Sequence, residues 1–169
     1  MFNFNIHFPT RIHFGRGKIE DLGEEILSYG NKVLLVYGGG SIKRSGLYDQ
    51  LLQVFQGNDI NHIELSGVQP NPRISSVRQG VELCKQHQVH LVLAVGGGST
   101  IDCAKIIAAG ANYDGDAWDF FTRKAKIQHA LPVGTVLTLA ATGSEMSPNA
   151  VINNDDTNKK LGIGSSILI

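Results

Sequence analysis

Residues 91–105, LVLAVGGGSTIDCAK, run from five unbroken apolar residues into Gly96, Gly97, Gly98 and Ser99, with Asp102 and Lys105 following at helical spacing. Glycines let a backbone turn sharply and approach a ligand closely, so the amides of such a turn and the N-terminus of the next helix can face a phosphate. Ser99 is placed either to cap that helix or to donate to the phosphate. Asp102 sits at capping-box distance, able to reach back to the loop amides or to hold a ribose hydroxyl. Lys105, one turn further on, is positioned to pair with Asp102. The same tetrad occurs at Gly38, Gly39, Gly40 and Ser41 after the apolar run KVLLVY, and a third turn, Thr142 to Ser144, follows LPVGTVLTLAA. Glycine turns after buried strands also serve close packing and tight reversal alone. Two such tetrads at strand ends, with a third small-residue turn, favour a nucleotide site. Neither tetrad matches GxxxxGK[ST] or GxGxxG, so the spacing reaches a dinucleotide or other phosphate-bearing ligand and stops there.

Other chemistry-bearing residues form no comparable pattern. His7, His13, His62, His87, His90 and His129 are scattered, and a strand starting at His90 breaks the helix that would put it on one face with His87. Asp114, Asp116 and Asp119 read as loop carboxylates and helix caps, and Asp155 and Asp156 as hairpin-turn residues. No metal-ligating set emerges.

The elements that must position the turns alternate. KVLLVY (32–37), NHIELSGV (61–68), HLVLAV (90–95) and LPVGTVLTL (131–139) read as strands, and the uninterrupted run at 90–95 fits one buried on both faces of a parallel sheet. Between them, residues 47–55, 73–87 and 99–111 carry apolar residues at helical spacing, and Pro70 and Pro72 forbid helix between 68 and 73. Residues 112–121 read as a loop with one helical turn. The polar centre of NAVINNDDTNKKLGIG (149–164) predicts a β-hairpin, and the alternating, aromatic-rich first sixteen residues predict another around Pro9 and Thr10. The expected fold is therefore α/β, an open parallel Rossmann-like sheet with helices on both faces and an N-terminal β-hairpin, in one domain over 1–169.

Composition narrows the partner. Fifteen basic and fifteen acidic residues among 169 cancel, so no global field draws the chain to nucleic acid or to an anionic membrane. A small molecule is expected instead. No stretch reaches the ~18–20 apolar residues of a membrane span, and the N-terminus lacks a secretory pattern. Cys84 and Cys103 fall in helical segments outside any CxxC pair, which suggests reduced core thiols and a cytoplasmic protein.

Taken together, PTRIHFGRG, VYGGGSIKRSG, PNP, AVGGGSTIDCAK and LPVGTVLTLAATGSE resemble the N-terminal domain of the iron-containing alcohol dehydrogenase family, in its branch of NADP-dependent butanol dehydrogenases and aldehyde reductases. The resemblance runs from about Phe4 to Lys160 and implies a dehydroquinate synthase-like α/β dinucleotide-binding domain. It assigns Gly96, Gly97, Gly98, Ser99 and Asp102 to the pyrophosphate and its neighbouring ribose, and Asn71 to the same cleft. Thr138, Leu139, Thr142 and Ser144 are implied to lie against the cofactor, with Asn149 and Lys160 near the nicotinamide ribose and phosphates. Ser147 and Pro148 depart from the commoner family pattern before Asn149. Gly38, Gly39, Gly40 and Ser41 bear on cofactor choice: NAD-selective relatives carry an acid after this strand, whereas here none lies between Tyr37 and Arg44, and Lys43 and Arg44 add positive charge. A preference for NADP(H) over NAD(H) follows.

The family's metal, iron or zinc, is implied to be held by one Asp and three His beyond residue 169, in a helical C-terminal domain that this sequence lacks. No catalytic or metal residue is expected within it. The function implied is the cofactor-binding domain of a metal-dependent enzyme transferring hydride between NADP(H) and a primary alcohol or aldehyde. The alternatives are a non-catalytic nucleotide-binding fragment or assembly module, and a glycerol dehydrogenase-like polyol oxidoreductase. The Phe2 to Phe14 segment is a candidate homodimer edge.

Overall fold

A computed structural model describes residues 9–169. Four strands, β1 (Lys32–Tyr37), β2 (Asn61–Leu65), β3 (Leu91–Gly96) and β4 (Val133–Leu137), form one fully parallel sheet in the order β2-β1-β3-β4. Because successive side chains of a strand point to opposite faces, an apolar run in the middle of a sheet must be covered twice. Val33, Leu35, Tyr37, Leu91, Leu93 and Val95 pack on one face with Leu51 and Phe55 of α3 (Leu47–Gly57) and Ile26 of α1 (Leu22–Leu27). Leu34, Val36, Val92 and Ala94 pack on the other with α4 (Ile74–His87) and α5 (Gly98–Ala111). Gly134 on β4 leaves room for Leu93, whose Cδ1 lies 3.1 Å from where a Cβ would stand.

The strand order sets the place of any ligand. From β1 the chain passes through α2 (Ser41–Arg44) and α3 to β2 on one side, then returns through α4 to β3 on the other side of β1. The connections thus diverge between β1 and β3, and in an open parallel sheet the crevice beyond the carboxyl ends at this point is where ligands bind. Tyr37 and Val95 are paired across it, and the two GGGS turns follow them directly.

α5 is buried around nearly its whole circumference, because the sheet lies on one side, α4 on another and a separate hairpin on a third. That hairpin pairs β5 (Asn149–Asn154) with β6 (Lys159–Gly164) and presents Ala150, Ile152 and Asn154 inward. Its turn is tied to α4 through Arg73 with Asp155 and Arg78 with Asp156. One turn of helix, α6 (Trp118–Phe121), closes the far end of α5 with Trp118, Phe120 and Phe121.

The N-terminal hairpin expected over the first sixteen residues and the dimer edge expected from Phe2 to Phe14 fall in part outside the described residues. From Pro9 to Phe14 the chain has no strand. Ile12 and Phe14 are 60% and 94% exposed, and the segment is held instead by Arg11 on Glu25 at 2.8 Å and His13 on Asp21 at 3.1 Å.

Both thiols lie inside the helical layer, where burial pushes Cys84 and Cys103 up to about 12. At about pH 8 the native chain should therefore leave an aromatic disulfide reagent unreacted, and both thiols should react once denaturant opens the core. Reaction of either in the native chain would show that α4 and α5 do not pack as described.

Candidate functional site

α5 begins where β3 ends, with Gly97 in an extended conformation as its N-cap. The first bonds of the helix run from the amides of Thr100 and Ile101 to the Gly97 carbonyl, so the amides of Gly98 and Ser99 precede any intrahelical partner. They carry the positive end of a 14-residue helix. Ser99 is therefore not the cap; its Oγ accepts the Asn71 amide at 3.3 Å. A Cβ built on Gly97 meets nothing within 4 Å, whereas one on Gly98 would strike the Thr142 hydroxyl. Gly97 thus leaves its approach open, and Gly98 lets the Thr142 turn close over the start of the helix.

Asn71, between Pro70 and Pro72, has a left-handed φ of 56°. It joins three elements. Its amide reaches Ser99, its Oδ1 accepts from Lys160 Nζ at 2.6 Å, and the next carbonyl, Pro72, accepts the Asn153 amide of β5 at 2.8 Å.

Asp102 does not reach back to the loop amides and does not pair with Lys105, which corrects both expectations. Its Oδ1 accepts from the Ser144 hydroxyl at 2.5 Å and its Oδ2 from the Val151 amide at 3.0 Å. Lys105, 3% exposed, donates to the carbonyls of Ser144 at 2.5 Å, Asn149 at 3.2 Å, and Ser147. An i,i+3 pair on an isolated helix would turn its two charges on each other. Here the segment from Ser144 to Val151 lies against that face and offers donors to the carboxylate and acceptors to the ammonium. Burial pulls the Lys105 ammonium below the usual lysine range, and the charges of Asp102 and Glu145 oppose that pull.

These groups enclose a cleft of about 390 Å³ at the head of α5. Of the sequence-predicted residues, Asn71, Gly98, Ser99, Asp102, Thr142, Ser144, Asn149 and Lys160 line it, and Ser147 joins them. Gly96 and Gly97 lead into its floor. Thr138 follows the sheet edge, its amide on the Gly96 carbonyl at 3.0 Å, and Leu139 is 66% exposed beyond it. Gly38, Gly39, Gly40 and Ser41 stand one strand over, beyond the walls of this cleft but on the same carboxyl edge. There the amides of Gly67 and Val68 close against the carbonyls of Gly38 and Tyr37.

At that second corner the sequence reading missed an acid. Glu64, from the neighbouring strand β2, accepts the hydroxyls of Tyr37, at 2.5 Å, and Tyr48. That hydrogen bond, with burial, pushes the Tyr48 phenol up to about 12. Lys43 lies over both rings, 4.5 Å from the Tyr48 centroid and 5.4 Å from that of Tyr37. A phosphate fits the glycine-lined head of α5, with Lys160 opposite. A metal does not fit: among the described residues no three His, Cys, Asp or Glu side chains gather.

The left-handed turn at Asn71 has a measurable consequence. Asn71→Ala should be less stable than Asn71→Gly by about 1 kcal/mol in urea unfolding, since both lose the Lys160 acceptor and only alanine carries the left-handed penalty. Equal stabilities would show that the turn does not need this backbone.

Comparison with known proteins bears on the family and the fold. The family model described as iron-containing alcohol dehydrogenase matches residues 9–169. The chain is 56% identical over 164 residues to NADH-dependent butanol dehydrogenase A of Clostridium acetobutylicum, covering 97% of this chain and 42% of that protein. It is 44% identical over 169 residues to the NADPH-dependent aldehyde reductase YqhD of Escherichia coli, covering 98% and 43%. The crystal structure of a Thermotoga maritima NADH-dependent butanol dehydrogenase A superposes with a TM-score of 0.94 at 52% identity, over 98% of this chain and 42% of that one. The chain thus spans about 42% of the length of the relatives it matches. With the parallel sheet, the glycine turn at the head of α5 and the match over 9–169, the chain belongs to the iron-containing alcohol dehydrogenase family.

Proposed function

We propose that this chain is the nicotinamide-dinucleotide-binding part of an alcohol or aldehyde oxidoreductase, and that the cleft at the head of α5 holds the cofactor's pyrophosphate. One observation carries the reading. The amides of Gly98 and Ser99 and the ammonium of Lys160 meet at one cleft beyond the carboxyl end of β3, beside the point where the sheet's connections diverge. The whole enzyme would use the bound nicotinamide as hydride donor or acceptor for a primary alcohol or aldehyde. Its catalytic metal would be held by residues other than those described. Two buried thiols fit a reducing compartment, and we place the protein in the cytoplasm on that ground.

For the cofactor itself, NADP(H) is supported by the first turn, in which no acid stands between Tyr37 and Arg44 to repel a 2′-phosphate. The Arg44 guanidinium comes within 3.8 Å of a Cβ position on Gly40, so a cation lies over that turn. A second reading, NAD(H), is favoured by the names of the relatives at 55–57% identity, all NADH-dependent butanol dehydrogenases or probable ones.

Calorimetric titration of the chain with NADP+ and with NAD+, beside a Gly97→Val variant, tests both layers. The side chain added at Gly97 enters open space, so the variant should melt as the wild type does while losing the cofactor. Tighter NADP+ binding supports the acid-free turn as selector; tighter NAD+ binding supports the second reading. Wild-type binding of neither, or undiminished binding by the variant, would sink the proposed cleft.

A further inference from the structure

Lys105 is the most deeply buried charge of the chain's cofactor side, and no carboxylate lies within ion-pairing distance of it among the described residues. A lysine in this position is expensive to bury, and a methionine or leucine would fill the same helical face without desolvating an ammonium. What offsets the desolvation is the set of carbonyls it meets. All three belong to cleft-lining residues, Ser144, Ser147 and Asn149.

The segment that carries them has little order of its own. From Thr138 to Gly143 it is exposed, and from Ser144 to Met146 it forms a single 3-10 turn closed by the Met146 amide on the Gly143 carbonyl. Regular pairing begins only at Asn149. Five bonds from two residues of α5 fix this stretch: two donors taken by Asp102 and three carbonyls held by Lys105. The carboxylate can hold only N–H and O–H groups, and the ammonium can hold only carbonyls, so neither can replace the other.

We propose that Lys105 is a positioning residue for the cofactor: by gripping the carbonyls of Ser144, Ser147 and Asn149 it sets the wall of the cleft that faces the head of α5. It touches no ligand itself. The ammonium acts through the turn, holding Thr142, Ser144 and Asn149 at the distance from Gly98 and Ser99 that a pyrophosphate needs. The nucleotide side of this proposal rests on the cofactor reading above; the ordering of the wall does not.

The test uses Lys105→Met, which keeps the length and apolar stem but no donor, and Lys105→Gln, which keeps an uncharged amide donor. Two quantities are measured: amide hydrogen exchange across residues 144–151, and affinity for whichever of NADP+ and NAD+ the wild type binds more tightly, beside adenosine, a fragment that lacks the pyrophosphate. The expected result is a cooperative melt, faster exchange confined to 144–151 with β1 and β3 unchanged, and dinucleotide binding weakened by roughly tenfold or more while adenosine stays within about twofold. A general loss of stability would weaken the dinucleotide and adenosine together. Equal weakening, or exchange at 144–151 like wild type in a folded variant, overturns the proposal. So does failure of both variants to fold, since Lys105 would then serve the fold as a whole. If wild type binds neither NADP+ nor NAD+, the cofactor reading fails, and the exchange measurement alone still decides whether Lys105 orders the wall.

Discussion

A parallel sheet buried on both faces can meet a polar ligand only at its ends. Its faces here are sealed by α1 and α3 on one side and by α4 and α5 on the other, so the backbone groups free to bind are those just past the last ladder bond. All four strands run the same way, which gathers those ends on one edge. The helices that follow then point their N-termini, and so their partial positive charge, at the same edge. The need to cover both faces therefore selects where the site lies and the sign of the charge it receives.

That edge alone would be a shallow rim. Depth comes from the β5–β6 hairpin, which is not part of the sheet and leans on α5 through Ala150 and Ile152. Two kinds of attachment hold it. At the hairpin turn, Arg73 and Arg78 meet Asp155 and Asp156 on the surface, where ion pairs contribute ~1 kcal/mol or less and weaken with salt. At the cleft, half-buried Asp102 and fully buried Lys105 work from the body of α5, where each hydrogen bond counts for more and each unmade one costs more than at the surface. The precise end of the hairpin is thus the end beside the cleft.

What the sequence made legible followed from burial. A run such as HLVLAV has no polar position because both of its faces are covered, and NNDDTNKK is polar because nothing covers a hairpin turn, so both elements were readable. The glycine turn was readable because few other residues permit such close approach. Lys105 was misread because spacing along a helix names only local neighbours, and its real partners lie 39 to 44 residues away. A clue was present, a lysine within IDCAKIIAAGA, too apolar a helix to leave its charge in water. Glu64 was missed for a related reason: its partners Tyr37 and Tyr48 depend on β2 lying beside β1, and strand order is not written in any local pattern. At the N-terminus the alternation suggested a strand, yet from Pro9 to Phe14 no ladder forms among the described residues.

Glu64 also changes the electrostatics of the first glycine turn. Counting charges along VYGGGSIKR gives two cations and no acid, and this supported a 2′-phosphate with Lys43 and Arg44 acting together. In the folded chain Lys43 is drawn over Tyr37 and Tyr48, whose hydroxyls already bind the Glu64 carboxylate, so its charge is balanced nearby and its ammonium is held by two aromatic faces. Arg44 differs, for its guanidinium lies over Gly40 rather than over that cluster. If the proposed cofactor carries a 2′-phosphate to this corner, its attraction would rest on Arg44 with the Ser41 hydroxyl and the glycine amides, a single cation rather than two. On the proposed reading, a site so weakly biased would discriminate modestly between cofactors that differ by one phosphate. Small changes around it could therefore tip the choice, consistent with relatives of this chain named for either cofactor at 44% and 56% identity.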